Sequence, residues 1–158
     1  MNVMQKTEFI SRVRSCERRL YRIAHTMLRS EADCEDAVQE TLLKAWAARD
    51  SLRHEEWFET WLIRILINQC KSFWRRHESR ETALPENLPQ PASGNHRLMD
   101  ALMALDEKHR IVLELKYIEG YDIKEVALIL GIPEGTVKWR LNRARTALKR
   151  ELGEEERR

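Results

Sequence analysis

At 158 residues, with 42% hydrophobic and 34% charged residues and only five glycines and four prolines, the chain has the balance of a helical globular protein and excludes a disordered or fibrous one. Its 28 lysines and arginines are nearly cancelled by 26 aspartates and glutamates, so a net charge of +2 excludes a uniformly basic chain and leaves charge placement to carry the information. Three cysteines without paired spacing exclude a disulfide framework; in a reducing compartment Cys16, Cys34 and Cys70 are expected as small buried apolar residues.

Phe9, Ile10, Val13, Leu20, Ile23, Ala24, Met27 and Leu28 recur at spacings of three and four, which predicts one long amphipathic helix. Lys6, Glu8, Arg12 and Arg14 interrupt its start, so no secretory signal is expected. The most apolar run, residues 61–67, is short and broken by Arg64, so no membrane span is expected and the chain is placed in the cytoplasm. Residues 30–33 supply a turn and a cap. A second helix follows with Val38, Leu42 and Trp46 inward, and its beginning is acidic: Glu31, Asp33, Glu35, Asp36 and Glu40 have no base among them.

Residues 50–56 are polar enough to form a loop. A third strong period, Trp57, Phe58, Trp61, Leu62, Ile65 and Leu66, continues through Phe73 and Trp74, and residues 60–77 carry Arg64, Lys71, Arg75 and Arg76 without an acid. Trp57, Phe58 and Trp61 are assigned to the core; the alternative is a stacking surface, because bases stack on rings while cations hold a single-stranded backbone. Pro85, Pro89 and Pro91 then fall in residues 77–95, read as a flexible linker between two small helical domains. The fold class is all-α.

Past the linker, Leu98, Ala101, Leu102 and Leu105 predict a short helix. Asp106 is expected to cap the next, which runs through Ile111, Val112, Leu115 and Ile118 and ends near Gly120. Asp122 with Glu125 forms a capping-box pattern ahead of Val126, Ala127, Ile129 and Leu130, and Gly131 stops that helix. Pro133 suits the first position of the next one. Its apolar stripe is Val137, Leu141, Ala144 and Leu148. Its other faces carry Lys138, Arg140, Arg143, Arg145, Lys149 and Arg150, with no acid in residues 137–150. A capped short helix, a glycine turn and a one-sided basic helix in this order form a helix-turn-helix aimed at DNA.

Two blocks together resemble one family. Asp33-Cys34-Glu35-Asp36-Ala37-Val38-Gln39-Glu40 through Trp46, followed by Trp61-Leu62-Ile63-Arg64-Ile65 and Asn68, are similar to region two of the extracytoplasmic function sigma factors. Gly131-Ile132-Pro133-Glu134-Gly135-Thr136-Val137-Lys138 with Arg140, Arg143, Ala144 and Arg145 is similar to their region four. The resemblance implies a region two bundle over residues 1–76, the linker over 77–95, a region four helix-turn-helix over 96–152 and an unstructured charged tail over 153–158.

It further implies a specificity subunit rather than an enzyme, a monomer when free. Its partners would be core RNA polymerase, through the clamp of the largest subunit and the flap of the second-largest, promoter DNA and an anti-sigma factor. Asp33, Asp36, Gln39, Glu40 and Trp46 would meet the polymerase. Leu52, Arg53, Trp61, Arg64, Asn68, Lys71, Arg75 and Arg76 would meet the minus-ten element. Lys138, Trp139, Asn142 and Arg143 would reach base edges of the minus-thirty-five element, with Gly135, Thr136, Arg140 and Arg145 at its backbone. Leu52, Ser72 and Trp139 depart from the residues common at those positions in the family, which leaves the preferred bases open.

Two other readings compete. An ordinary dimeric helix-turn-helix regulator would account for the second domain alone and would require a palindromic site. An enzyme or metal protein finds little support: there is no phosphate-cradling glycine loop, no Cys-x-x-Cys, and His25, His54, His77, His96 and His109 lack ligand spacing, so no metal or cofactor is expected.

Overall fold

The structure, a computed structural model, describes residues 4–78 and 96–156, and these form two compact units. The first holds α1 (Lys6–Met27), α2 (Glu31–Ala47) and α3 (Phe58–Glu78), with 3₁₀ turns at Arg49–Ser51 and Glu55–Trp57 between the last two. The second holds α4 (His96–Met103), α5 (Glu107–Leu113), a π turn at Glu114–Ile118, α6 (Ile123–Leu130) and α7 (Glu134–Glu156). No strand occurs among the described residues. Except for its first two positions, which end α3, the expected linker lies outside the described residues.

In the first unit each helix packs against the other two. Of the periodic apolar positions, Leu20, Ile23, Ala24, Val38, Leu62 and Leu66 are buried, joined by Ala37, Ala45, Ile63 and Ile67, whereas Leu42, Trp46 and Ile65 are half-buried and Ile10 is 39% exposed. Ser30 caps α2 as expected, its hydroxyl accepting from the Asp33 N–H at 3.3 Å. Thr41 is polar yet fully buried because its hydroxyl donates to the Ala37 carbonyl at 2.7 Å. The three cysteines are free and buried. Burial, with Glu59 nearby, pushes the Cys16 thiol up to about 11. Burial, reinforced by Asp33, Glu31 and Glu35, pushes Cys34 up to about 12.

The second unit is organised around α7, against which α4, α5 and α6 all pack. Asp122 and Glu125 complete the capping box of α6: the Glu125 N–H donates to Asp122 Oδ1 at 2.8 Å and the Asp122 N–H to Glu125 Oε2 at 3.3 Å. Gly131 ends α6 at φ +68°, a left-handed conformation for which glycine has no Cβ penalty.

Three expectations need correction. Asp106 stands at the start of α5 without a side-chain capping bond. The nearby carbonyls of Met103 and Leu105 are instead satisfied by buried Arg110, whose Nη1 donates to them at 3.2 and 2.9 Å. Pro133 lies one place before α7, where its carbonyl accepts the first helical bonds from Thr136 and Val137. Residues 153–156 of the expected tail continue α7, since helical bonding carries on through Gly153. The segment after α5 also widens into a π turn, with the Glu119 N–H reaching the Glu114 carbonyl at 2.9 Å. The extra residue keeps Glu114 and Leu115 inside while turning Tyr117 and Ile118 out.

Candidate nucleic-acid interface

On α7 the buried stripe of Val137, Leu141 and Ala144 fixes which side faces away from the unit. Trp139, Asn142, Arg143, Thr146 and Arg150 lie opposite it, and all are exposed. Trp139 is 53% exposed, so burial does not explain it. Its indole carries the Arg143 guanidinium at 4.7 Å from the ring centre, a cation–π pair one helical turn apart. Such stacking restrains the planar fork of arginine, the group whose paired donors suit guanine O6 and N7.

His109 from α5 joins Trp139, Asn142, Arg143, Thr146 and Arg150 in lining an open hollow of about 520 Å³. Lys138 is exposed on one flank of this face, and Arg140 and Thr136 are half-buried at its edges. Gly135 is exposed in the first turn, and a Cβ built there would meet nothing within 4 Å. Arg145 leans across α7, with Nη1 donating to Tyr117 Oη and Nη2 to Asn142 Oδ1.

In the first unit, Trp61, Arg64, Asn68, Lys71 and Arg75 follow spacings of three and four along α3 and share one side of the helix, away from buried Leu62, Leu66 and Cys70. Arg64, Asn68 and Arg75 are exposed; Trp61 and Lys71 are half-buried, with Trp61 tilted against Phe58 at 5.9 Å. Arg76 turns aside, its guanidinium 4.6 Å from the Phe73 ring. The core assignment holds for Phe58 and fails for Trp57, which is 54% exposed and meets His54 edge-on at 4.6 Å.

The preceding segment is held in place from both sides. Arg12 of α1 donates to the Glu55 carbonyl and carboxylate at 3.0 Å each and to Glu8 at 3.0 Å. Arg19 pairs with Glu59. Arg49 stacks 3.9 Å from the Trp46 ring centre and donates to the Trp46 carbonyl at 2.7 Å. Arg53 is exposed between the two 3₁₀ turns, and Leu52 is half-buried.

On α2 the acidic residues divide by burial. Asp36, Gln39 and Glu40 are exposed on one side, whereas Asp33 is half-buried at the capped start. Trp46, half-buried two turns after Gln39, belongs to an aromatic cluster, packing edge-on against Phe9 at 5.2 Å beneath Arg49. Leu43 was not singled out from the sequence, yet it is 68% exposed, one turn beyond Gln39 and Glu40. An exposed leucine bordered by acids is the mixed apolar and charged character of a protein-docking surface. Tyr117 was missed similarly, Trp57 was assigned to the core and His109 was noted without a part in the surface, because helical period alone does not tell an exposed ring from a buried one.

Two family models match the chain, Sigma-70 region 2 over residues 12–80 and Sigma-70, region 4 over residues 95–148. The ECF RNA polymerase sigma factor SigM of Mycobacterium tuberculosis is 34% identical over 142 residues, covering 86% of this chain and 72% of that protein. The ECF RNA polymerase sigma factor SigW of Bacillus subtilis is 28% identical over 155 residues, covering 85% and 83%. Among solved structures, the sigma factor RpoE in complex with the anti-sigma factor NepR from Bartonella quintana aligns with a TM-score of 0.78 at 26% identity, covering 92% of this chain and 97% of that one. Among the described residues no helix is long and apolar enough to cross a membrane. With both regions matched in order and relatives of this similarity along most of its length, the chain belongs to the extracytoplasmic function sigma factors, the non-catalytic specificity subunits of bacterial RNA polymerase.

Proposed function

We propose that the first unit docks on the polymerase clamp through the exposed side of α2, with Asp36, Gln39 and Glu40 around Leu43, and that Asp33 and Trp46 shape this surface from behind. Complementary charge would speed and orient docking, and the leucine would supply the desolvated centre. The second unit meets the flap of the second-largest subunit and places α7 in the major groove at the minus-thirty-five element.

Between these anchors, residues 49–57 and the outward side of α3 take the minus-ten strand. Unstacking a base costs a few kcal/mol, which an aromatic pocket offsets by stacking. Exposed Trp57 and half-buried Trp61 supply rings, Asn68 supplies amide donors and an acceptor, and Arg53, Arg64, Lys71, Arg75 and Arg76 supply the salt-sensitive hold on phosphates. In this reading the chain works as a monomer in the cytoplasm, needs no cofactor, and leaves bond making to the polymerase. An anti-sigma factor, like the one bound to RpoE in the related complex, would hold it inactive.

The observation that carries the proposal is the segregation of charge: an exposed acidic side on α2 in one unit, and a cationic α7 with no acid in residues 137–150 in the other. The test mixes the full chain with core polymerase and a promoter library and scores open-complex formation and specific initiation. Asp36→Arg is expected to weaken core binding while leaving minus-thirty-five preference unchanged. A chain that binds duplex DNA as a dimer on palindromic sites and never redirects core polymerase would defeat the proposal.

A further inference from the structure

We propose that Tyr117, which lies outside the helix-turn-helix, sets which base Asn142 reads by holding Arg145 against it. The inference rests on α7 being the duplex-reading helix. The π turn at Glu114–Ile118 brings Tyr117 to the surface beside α7, and the phenol accepts from Arg145 Nη1. Nη2 of the same guanidinium donates to Asn142 Oδ1 at 2.5 Å. These bonds form a chain from a residue outside the reading helix to one at its centre.

The chemistry of the chain fixes the orientation of the amide. Arginine has only donors, so the atom it faces on Asn142 is the carbonyl oxygen, and the amide NH₂ is the free end. An asparagine that reads adenine needs both ends, accepting from N6 while donating to N7. With one lone pair of its oxygen taken by a charged donor, Asn142 presents its two N–H donors foremost and accepts a second bond only by sharing that oxygen. Guanine, whose major-groove edge offers two acceptors, N7 and O6, matches that state, whereas the N6 amino group of adenine must share an oxygen already bonded to a guanidinium. A hydrogen bond to a charged donor is among the stronger ones, so the competition favours the intramolecular pairing. Tyr117 adds the second tether, without which the long arginine side chain swings away freely. Tyr117 is thus a positioning residue that touches no base itself.

The experiment selects duplexes from a library randomised over the minus-thirty-five box, using the full chain with core polymerase. The position read by Asn142 is the one whose preference Asn142→Ala flattens. Wild type is expected to prefer guanine over adenine there. Tyr117→Phe keeps the ring and its packing, and should reduce that preference roughly three- to tenfold, the scale of one lost hydrogen bond in a polar network. Preference at the positions read by Lys138 and Arg143 should stay unchanged, and Tyr117→Phe in the Asn142→Ala background should be silent. A wild-type preference for adenine, a uniform change at every position, or no change in Tyr117→Phe would each overturn the inference. If the selection gives the expected single-position shift but core polymerase never initiates, the positioning role stands and the proposed function falls.

Discussion

Gly135 offers a substitution whose two consequences have opposite signs. The residue is helical, exposed and in the first turn of α7, and a Cβ there would meet nothing within 4 Å. Nothing in the folded chain therefore requires a glycine, whose backbone freedom disfavours a helix by about 0.5–1 kcal/mol relative to alanine. Gly135→Ala should stabilise the second unit by that amount, about 2–8 °C in its melting temperature at the size of such a domain.

The same methyl group would occupy the space through which a phosphate approaches the Glu134 and Gly135 N–H groups, which precede the first helical bonds of α7. Minus-thirty-five binding should then weaken by about 1–3 kcal/mol, the scale of a lost charge-assisted contact. Thermal unfolding of the full chain and binding to a minus-thirty-five duplex in the presence of core polymerase measure the two effects. A destabilised variant would contradict the local account of the helix. A stabilised variant that binds as well as wild type would contradict the close approach of the DNA backbone.

Arg12→Ala removes the ties of Arg12 to Glu8 and Glu55 at once and should destabilise the first unit by about 1–2 kcal/mol, since exposed ion pairs add little beyond the bond to the Glu55 carbonyl. Arg12→Lys should restore less than half of that, and full restoration in thermal unfolding would show that the forked geometry is immaterial. Asp122→Ala should lower the stability of the second unit by about 1 kcal/mol, and adding Glu125→Ala should cost little more, because each residue caps the other; a fully additive double variant would contradict the reciprocal pair. At pH 8 the thiolate populations of Cys16 and Cys34 should lie about a hundredfold and a thousandfold below that of a thiol at 9.0, so rapid alkylation of either in the folded chain would refute their burial. Both values are raised in the folded state. Their contribution to stability is therefore complete below pH 9 and is lost as pH rises toward 11 to 12.

Periodicity located the seven α-helices of the described residues because each depends on one buried stripe, and capping chemistry located the start of α2 and both ends of α6 because Ser30, Asp122 and Gly131 act locally. What escaped was set by tertiary partners. The His109 and Arg110 N–H groups at the start of α5 bond the Asp106 backbone carbonyl, so the expected Asp106 side-chain cap is not used. Trp46 and Trp57 share the aromatic composition of their neighbours, but only Trp46 finds Phe9, and Trp57 is left outside. The basic side of α7 was legible as a spacing pattern; the stacking of Arg143 on Trp139 gives a structural partner to an indole that departs from the residues common at that position in the family. Arg145 was assigned to the DNA backbone from charge alone, whereas its bonds to Tyr117 and Asn142 depend on a wide turn with no sequence signature.

That wide turn has a consequence for how this surface can change. An α-helix advances each residue by about 100°, so removing one position from residues 114–118 would rotate Tyr117 away from Arg145 or Leu115 out of the core, even if every chemically important side chain were kept. Substitutions within the turn can be graded, but a change in its length cannot. Along these five residues the count of positions is itself specified, and an insertion or deletion there should alter promoter choice more sharply than most point changes on the face of α7.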